Sequence, residues 1–381
     1  MQNIFKKTPI VCSQAEHNIH IEGDMKTPCC LIYDREYYVQ QDVATAFHSD
    51  MFNDIRSSLK RGQKHPACVT CWRTEQNSER SARTQYTERS IAQGITGDHG
   101  EHPRSMQWSF SNTCNFACRT CFLENSTGWL RETKQLAEQG DVKMQEDLKR
   151  FSKSPWDKAR LDEIVPYLEH LEHFELYGGE TLISTRLPDL LQIITDSGHS
   201  THIDLVLTTN GSQGPKPWMI EYFKQFRSVE LTFSIDAVSD DTFRYVRTGD
   251  WQQVQQNIDA WFKHDIIRRC NNTFSILNIW DCDRIMAWCD KRFALGNVNY
   301  NWVEQPAMYN AVNMPEDMKH HIMKSSTYWR SRQVLPNMFT QAHNPKLWSE
   351  FKQRTEWLDQ SRSQPLKKFM PELYAHINRW S

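Results

Sequence analysis

The sequence predicts an α/β protein built on parallel strands, with a small cysteine-rich N-terminal domain and a helical C-terminal tail. Three observations carry this. Strand-like and helix-like segments alternate from Met106 to about residue 303. Eight of the eleven cysteines fall within the first 121 residues: Cys12, Cys29, Cys30, Cys68, Cys71, Cys114, Cys118 and Cys121. The segment before the alternation is poor in apolar runs, so its core is thin and something else must hold it together.

The chain of 381 residues has 45 Lys+Arg against 47 Asp+Glu, a net charge of −2. That balance excludes a markedly basic nucleic-acid coat. With 14 Trp, 18 Phe and 12 Tyr, the chain has ample bulky core material, which excludes wholesale disorder. No apolar stretch approaches the roughly 20 residues of a membrane span. The first residues have two lysines but no apolar run after them, so the expectation is a cytoplasmic protein without a signal peptide. Clustered cysteines in such a chain point to metal or redox chemistry rather than disulfides.

Residues 1–95 read as the first domain. Val43, Phe47, Met51, Ile55 and Leu59 recur every fourth residue and predict one helix stopped at Gly62. Residues 87–103, with several Gly, His and Ser, read as a linker. Over 96–312 the predicted strands are 106–110, 173–177, 203–208, 229–235, 273–279 and 298–303. The helices between them are 161–168, 188–195, 217–226, 251–262 and 284–293. Such alternation implies parallel strands with right-handed crossovers, as in a partial barrel or a doubly wound sheet. Residues 130–153 read as a charged, exposed, helical insertion, and 313–381 as a tail with helices such as 346–358.

The segment 111–122 reads SNTCNFACRTCF and places Cys114, Cys118 and Cys121 in a C-x3-C-x2-C pattern after the first predicted strand. Three thiolates on one loop can hold three irons of a cubane cluster and leave the fourth open. A zinc site would normally collect a fourth protein ligand, and after Cys121 the next cysteine is Cys270. Further motifs end successive strands, where barrel active sites gather. They are Gly178-Gly179-Glu180, Thr209-Asn210-Gly211 and Ser234-Ile235-Asp236, the last followed by RYVRTGDW with Arg247, and then Asn278.

Together these motifs resemble the radical S-adenosylmethionine (radical SAM) superfamily. The resemblance implies a partial (β/α)6 barrel. It implies a [4Fe–4S] cluster on Cys114, Cys118 and Cys121, with S-adenosylmethionine chelating the open iron. Reductive cleavage of that cofactor to a 5′-deoxyadenosyl radical would then abstract a substrate hydrogen. Gly178, Gly179 and Glu180 would serve the cofactor's amino group, Ser234 its ribose and Arg247 its carboxylate, with Asn210 and Asn278 also at the cofactor. Two positions depart from the family pattern: Thr120 stands where many members have an aromatic residue, and Thr181 where many have Pro.

The N-terminal set Cys12, Cys29-Cys30, Cys68-x2-Cys71-Trp72, with Glu75 and Ser78-Glu79-Arg80-Ser81, resembles the auxiliary-cluster domain called SPASM or twitch. The resemblance implies a second iron–sulfur cluster, taken as [4Fe–4S], on Cys12, Cys29, Cys68 and Cys71. Cys29 is preferred to Cys30 because it directly follows Pro28, as the ligand does in the family pattern. Four cysteines also suit [2Fe–2S] or zinc. The expected partners are a peptide, protein or small-molecule substrate, with peptide or protein side chains preferred, and an external one-electron reductant such as flavodoxin or ferredoxin. The alternative reading is a non-catalytic zinc- or iron–sulfur-dependent binding module.

Overall fold

The computed structural model describes residues 10–77, 81–152, 161–339 and 342–379. The expected match at Ser78-Glu79-Arg80 lies outside them. The chain forms two compact units. One comprises residues 1–111, 154–207 and 216–229, the other 112–153, 208–215 and 230–381.

The first unit contains strands β1 (Asn18–Glu22), β2 (Met25–Thr27), β3 (Ser105–Ser109) and β4 (His173–Tyr177), and most of β5 (Asp204–Thr209). Their order is β2-β1-β3-β4-β5. β1 and β2 form an antiparallel hairpin through Gly23, whose φ of 62° suits glycine. β1 then pairs parallel with β3, Asn18 opposite Ser105, and β3 pairs parallel with β4, Ser105 opposite His173. The N-terminal segment is therefore not a separate domain in its strands, because it extends the sheet of the repeating region. Neither β1 nor β2 was expected. β1 alternates Ile19 and Ile21 with polar residues, a signal too short to stand out.

The second unit contains most of β6 (Ser228–Ser234), then β7 (Ile267–Phe274) and β8 (Val298–Trp302), in that order and parallel. In each unit the strands after β2 follow chain order without the reversal that marks a doubly wound sheet. Helices Leu187–Asp196, Pro217–Phe223, Trp251–Trp261 and Cys282–Phe293 fall where the pattern predicts them. In Trp251–Trp261, Asp250 caps the first turn by accepting from the Gln253 N–H at 3.0 Å. Trp251, Val254, Ile258 and Trp261 form its buried face. Its Asn257 and Trp261 side chains donate to the carbonyls of Gly211 (2.9 Å) and Gln213 (2.8 Å), which fixes the loop after β5.

Four expectations are corrected. The single helix over 43–59 is two helices, Val43–Phe47 and Asp50–Lys60, because Ser49 caps the second by accepting from the Phe52 N–H. The strand expected at 273–279 is β7, ending at Phe274. There Asn278 Oδ1 accepts from the Ser275 N–H at 2.7 Å and turns the chain, so Asn278 lies beyond the strand. The linker from residue 87 is helical at its start, since helix Ala82–Ala92 begins from a Ser81/Thr84 capping box. Residues Leu161–Tyr167 form a 3-10 helix containing Pro166. The insertion forms helices Leu130–Glu138 and Val142–Phe151, and the tail contains Pro345–Arg362 and Pro371–Arg379. No helix among the described residues is long and apolar enough to cross a membrane.

Leu205 in β5 is fully buried. Leu205→Ala is expected to lower the unfolding free energy by about 2–5 kcal/mol, measured by urea denaturation.

Candidate functional site

Residues 111–122 form neither helix nor strand, so the loop's backbone groups need partners elsewhere. Two segments of the second unit provide them. From the chain just downstream, Thr127 Oγ1 accepts from the Cys114 N–H at 3.1 Å, and Trp129 Nε1 donates to the Cys118 carbonyl at 2.8 Å. From the end of helix Asp240–Arg247, the Val246 carbonyl accepts from the Arg119 N–H at 2.9 Å, and Thr248 Oγ1 accepts from the Ala117 N–H at 2.8 Å. Thr248 can do so because it adopts φ 64° and ends that helix. Phe116 packs so tightly on Gly249 that a Cβ there would lie 2.3 Å from its ring.

This loop holds its three cysteines together. Cys114 Sγ accepts from the Phe116 N–H at 3.4 Å and from Asn210 Nδ2 at 3.7 Å. Cys118 Sγ lies 3.7 Å from the Arg247 carbonyl. Burial pushes the Cys118 thiol up to about 11, opposed by the nearby Arg247 and Arg362 charges. Cys121 is raised further by burial and then by Cys118 and Cys114. Unliganded, the Cys118 and Cys121 thiols keep their protons; a bound metal cation displaces them. Three clustered thiols with N–H donors at one sulfur fit an iron–sulfur cluster.

Arg247 is buried and ion-paired with Asp236, and its Nε has no hydrogen-bond partner among the described residues. Asp236 Oδ1 accepts from the Thr273 N–H at 2.9 Å. Asn278 Nδ2 donates to the Asp236 carbonyl at 2.8 Å. Asp236 is thus the hub that joins Arg247, β7 and Asn278. The pattern placed it at a strand end without assigning it a role, because its partners are 11 to 42 residues away. Ser234 is the last residue of β6, opposite Asn271. Asn210 also donates to Asn115 Oδ1 at 3.1 Å, so it touches the cysteine loop twice.

In the first unit, Gly178 and Gly179 have φ of 89° and 55°. A Cβ on Gly178 would lie 2.8 Å from both Ser109 Oγ and the Ser111 carbonyl. Glu180 is fully buried and caps the next 3-10 turn by accepting from the Leu182 N–H at 3.1 Å.

Also in the first unit, Cys12, Cys29, Cys68 and Cys71 line one cavity with Gln14, Arg83 and Tyr86. Cys30 is not part of that lining, and its Sγ lies 4.0 Å from Tyr86 Oη. Cys68 sits in the 3-10 turn Pro66–Cys68, capped by His65, and Cys71 follows one turn into helix Val69–Asn77. Burial pushes Cys71 up to about 11, and Cys68 higher still. Gln14 Oε1 is buried without a partner among the described residues. Four thiols around one cavity are the donor set of an iron–sulfur cluster. Among the described residues, no three His, Cys, Asp or Glu side chains stand as the ligands of a single ion.

Residues 108–288 match the family model of the radical SAM superfamily. This segment is a radical SAM domain. Its match begins in β3 and takes in the three-cysteine loop, the Gly178–Glu180 turn, Asn210 and Arg247. Two curated relatives are both named GTP 3′,8-cyclase. That of Marinobacter nauticus is 28% identical over 167 residues, covering 44% of this chain and 43% of that protein. That of Aliarcobacter butzleri is 26% identical over 145 residues, 38% of each. The matches thus span less than half the length of these relatives. Among solved structures, native anSMEcpe with bound AdoMet is similar at 16% identity and TM-score 0.38, covering 52% of this chain and 50% of that one. Streptococcus suis SuiB bound to S-adenosylmethionine is similar at 11% identity and TM-score 0.35, covering 86% and 69%.

The Gly178 turn of the radical SAM domain has no room for a side chain. Gly178→Ala is expected to lower the unfolding free energy by about 1–3 kcal/mol, read by urea denaturation of the metal-free protein.

Proposed function

We propose that the chain is a radical SAM enzyme whose [4Fe–4S] cluster is held by Cys114, Cys118 and Cys121. The observation that carries this reading is the three-thiol loop, pinned by its neighbours and half-buried within a radical SAM domain. When bound, the cluster and S-adenosylmethionine supply the one-electron chemistry that makes a hydrogen-abstracting radical. The chain's own residues hold and shield that chemistry. Phe116 N–H and Asn210 Nδ2 stabilise charge on the Cys114 sulfur. The buried Arg247, fixed by Asp236, has an Nε ready to meet a carboxylate. Gly178, Gly179 and Glu180 are assigned to the cofactor's amino group, and Ser234, Asn210 and Asn278 to its polar contacts. The one-electron donor is an external reductant such as flavodoxin or ferredoxin.

A second group, taken as an auxiliary [4Fe–4S] cluster of SPASM or twitch type, is assigned to Cys12, Cys29, Cys68 and Cys71. Its support is the shared cavity, and the exclusion of Cys30 from that lining supports Cys29 as the ligand. For the substrate, the relatives' name favours a small molecule over the peptide or protein side chain that the cysteine pattern favours.

The test is anaerobic reconstitution, then incubation with S-adenosylmethionine and a strong reductant, with 5′-deoxyadenosine measured by chromatography. Replacing Cys114, Cys118 and Cys121 by Ala is expected to abolish its release. Release at the wild-type rate, or zinc without iron in the reconstituted protein, would overturn the reading. Cys68→Ala is expected to keep part of the substrate-free cleavage while loosening residues 10–77, seen as faster amide exchange. Equal total loss in well-folded Cys68→Ala and Cys118→Ala proteins would contradict separate roles for the two cysteine sets.

A further inference from the structure

The helix Pro345–Arg362 lies outside the matched domain, yet two of its side chains reach the three-cysteine loop. Arg119, between Cys118 and Thr120, is fully buried, and its Nη2 is ion-paired with Asp359 Oδ1 at 2.8 Å. Its guanidinium lies over the Tyr245 ring at 3.6 Å, and its Nε donates to the Tyr245 carbonyl at 2.9 Å. Tyr245 Oη donates to the same Asp359 oxygen at 2.8 Å, so one carboxylate ties the loop to helix Asp240–Arg247. Arg362 Nη1 donates to the Ala117 carbonyl at 2.7 Å. Its Nε pairs with the buried Glu132 at 3.0 Å, and it lies over Trp129, whose Nε1 holds the Cys118 carbonyl.

Arg119 Nη1 and Arg362 Nη2 are buried without hydrogen-bond partners among the described residues. A buried cation left partly unpaired is costly unless an anion completes it. A cluster held by three thiolates beside this loop supplies negative charge.

We infer that Asp359 and Arg362 are positioning residues of the cluster site: they clamp residues 117–119 from the C-terminal helix, and the Arg362 guanidinium offsets the charge of the bound cluster. This rests on the assignment of the cluster to Cys114, Cys118 and Cys121. Asp359 acts through Arg119 by holding the loop in place. Arg362 acts both through the Ala117 carbonyl and through its charge, which already bears on the Cys118 thiol. Removing that charge makes adding an electron to the cluster harder.

The experiment uses the full chain with Asp359→Asn, Arg362→Gln, Arg362→Lys and, as a control on the same helix, the exposed Gln353→Ala. Hydrogen exchange of the metal-free protein reads the clamp. Amides of residues 116–121 are expected to exchange at least about tenfold faster in Asp359→Asn than in the control. After reconstitution, an EPR-monitored redox titration reads the charge. The midpoint of the signal lost in the triple-cysteine variant is expected to move to lower potential in Arg362→Gln and to stay near wild type in Arg362→Lys. Leu358→Ala loosens the helix packing while keeping both polar contacts. Loop exchange as fast there as in Asp359→Asn, or a potential in Arg362→Gln equal to the control, would overturn the inference. If the wild type has no such signal, the cluster assignment fails instead, and the exchange result still decides the clamp.

Discussion

An irregular loop must find a partner for each backbone group it buries, and the three-cysteine loop finds them in segment 126–129 just downstream, in segment 245–248, and at Arg362. Those bonds set the sulfur positions, because the thiols have no regular element of their own beneath them. The second segment is available only because helix Asp240–Arg247 stops at Thr248, whose left-handed backbone turns its hydroxyl to Ala117. Helix length, loop conformation and thiol placement are therefore one constraint.

Charge is the second theme of the site. Burial makes the Cys118 and Cys121 thiols poor acids, and each loss of a proton there would leave a poorly solvated anion. The second unit answers with Arg247 and Arg362, each side chain at most 8% exposed. Each is also tied to a carboxylate, Asp236 or Glu132, so its position does not depend on a ligand. Such pairing keeps the guanidinium groups oriented in the metal-free protein, which favours a preformed site over one assembled on binding.

The cysteine cavity of the first unit follows different physics. Its ligand candidates come from three stretches of the chain, and the elements around them are short: the N-cap of helix Ser13–His17, a loop after β2, and a 3-10 turn that runs into helix Val69–Asn77. Ile32, Ile55, Leu59 and Trp72 provide a small apolar cluster around them. A core of that size makes the thiols part of the segment's architecture as well as of its chemistry.

The sequence by itself determined the parallel α/β class, the later helices to within a few residues, and the two cysteine groupings. Periodicity and close spacing are local signals, and the C-x3-C-x2-C run needs only eight residues to be seen. The tertiary structure alone decided what depended on distant partners. β1 was legible only once β3 stood beside it, since five residues with two isoleucines do not announce a strand. The end of β7 was set by Asn278 turning the chain, not by loss of apolar residues. Asp236 stands at a strand end but with no role legible there, Arg119, Asp359 and Arg362 carry no motif, and an arginine or aspartate in sequence reads as solvated surface. Their roles come from partners as far as 245 residues away, brought into a buried setting where a single charge must be answered by another.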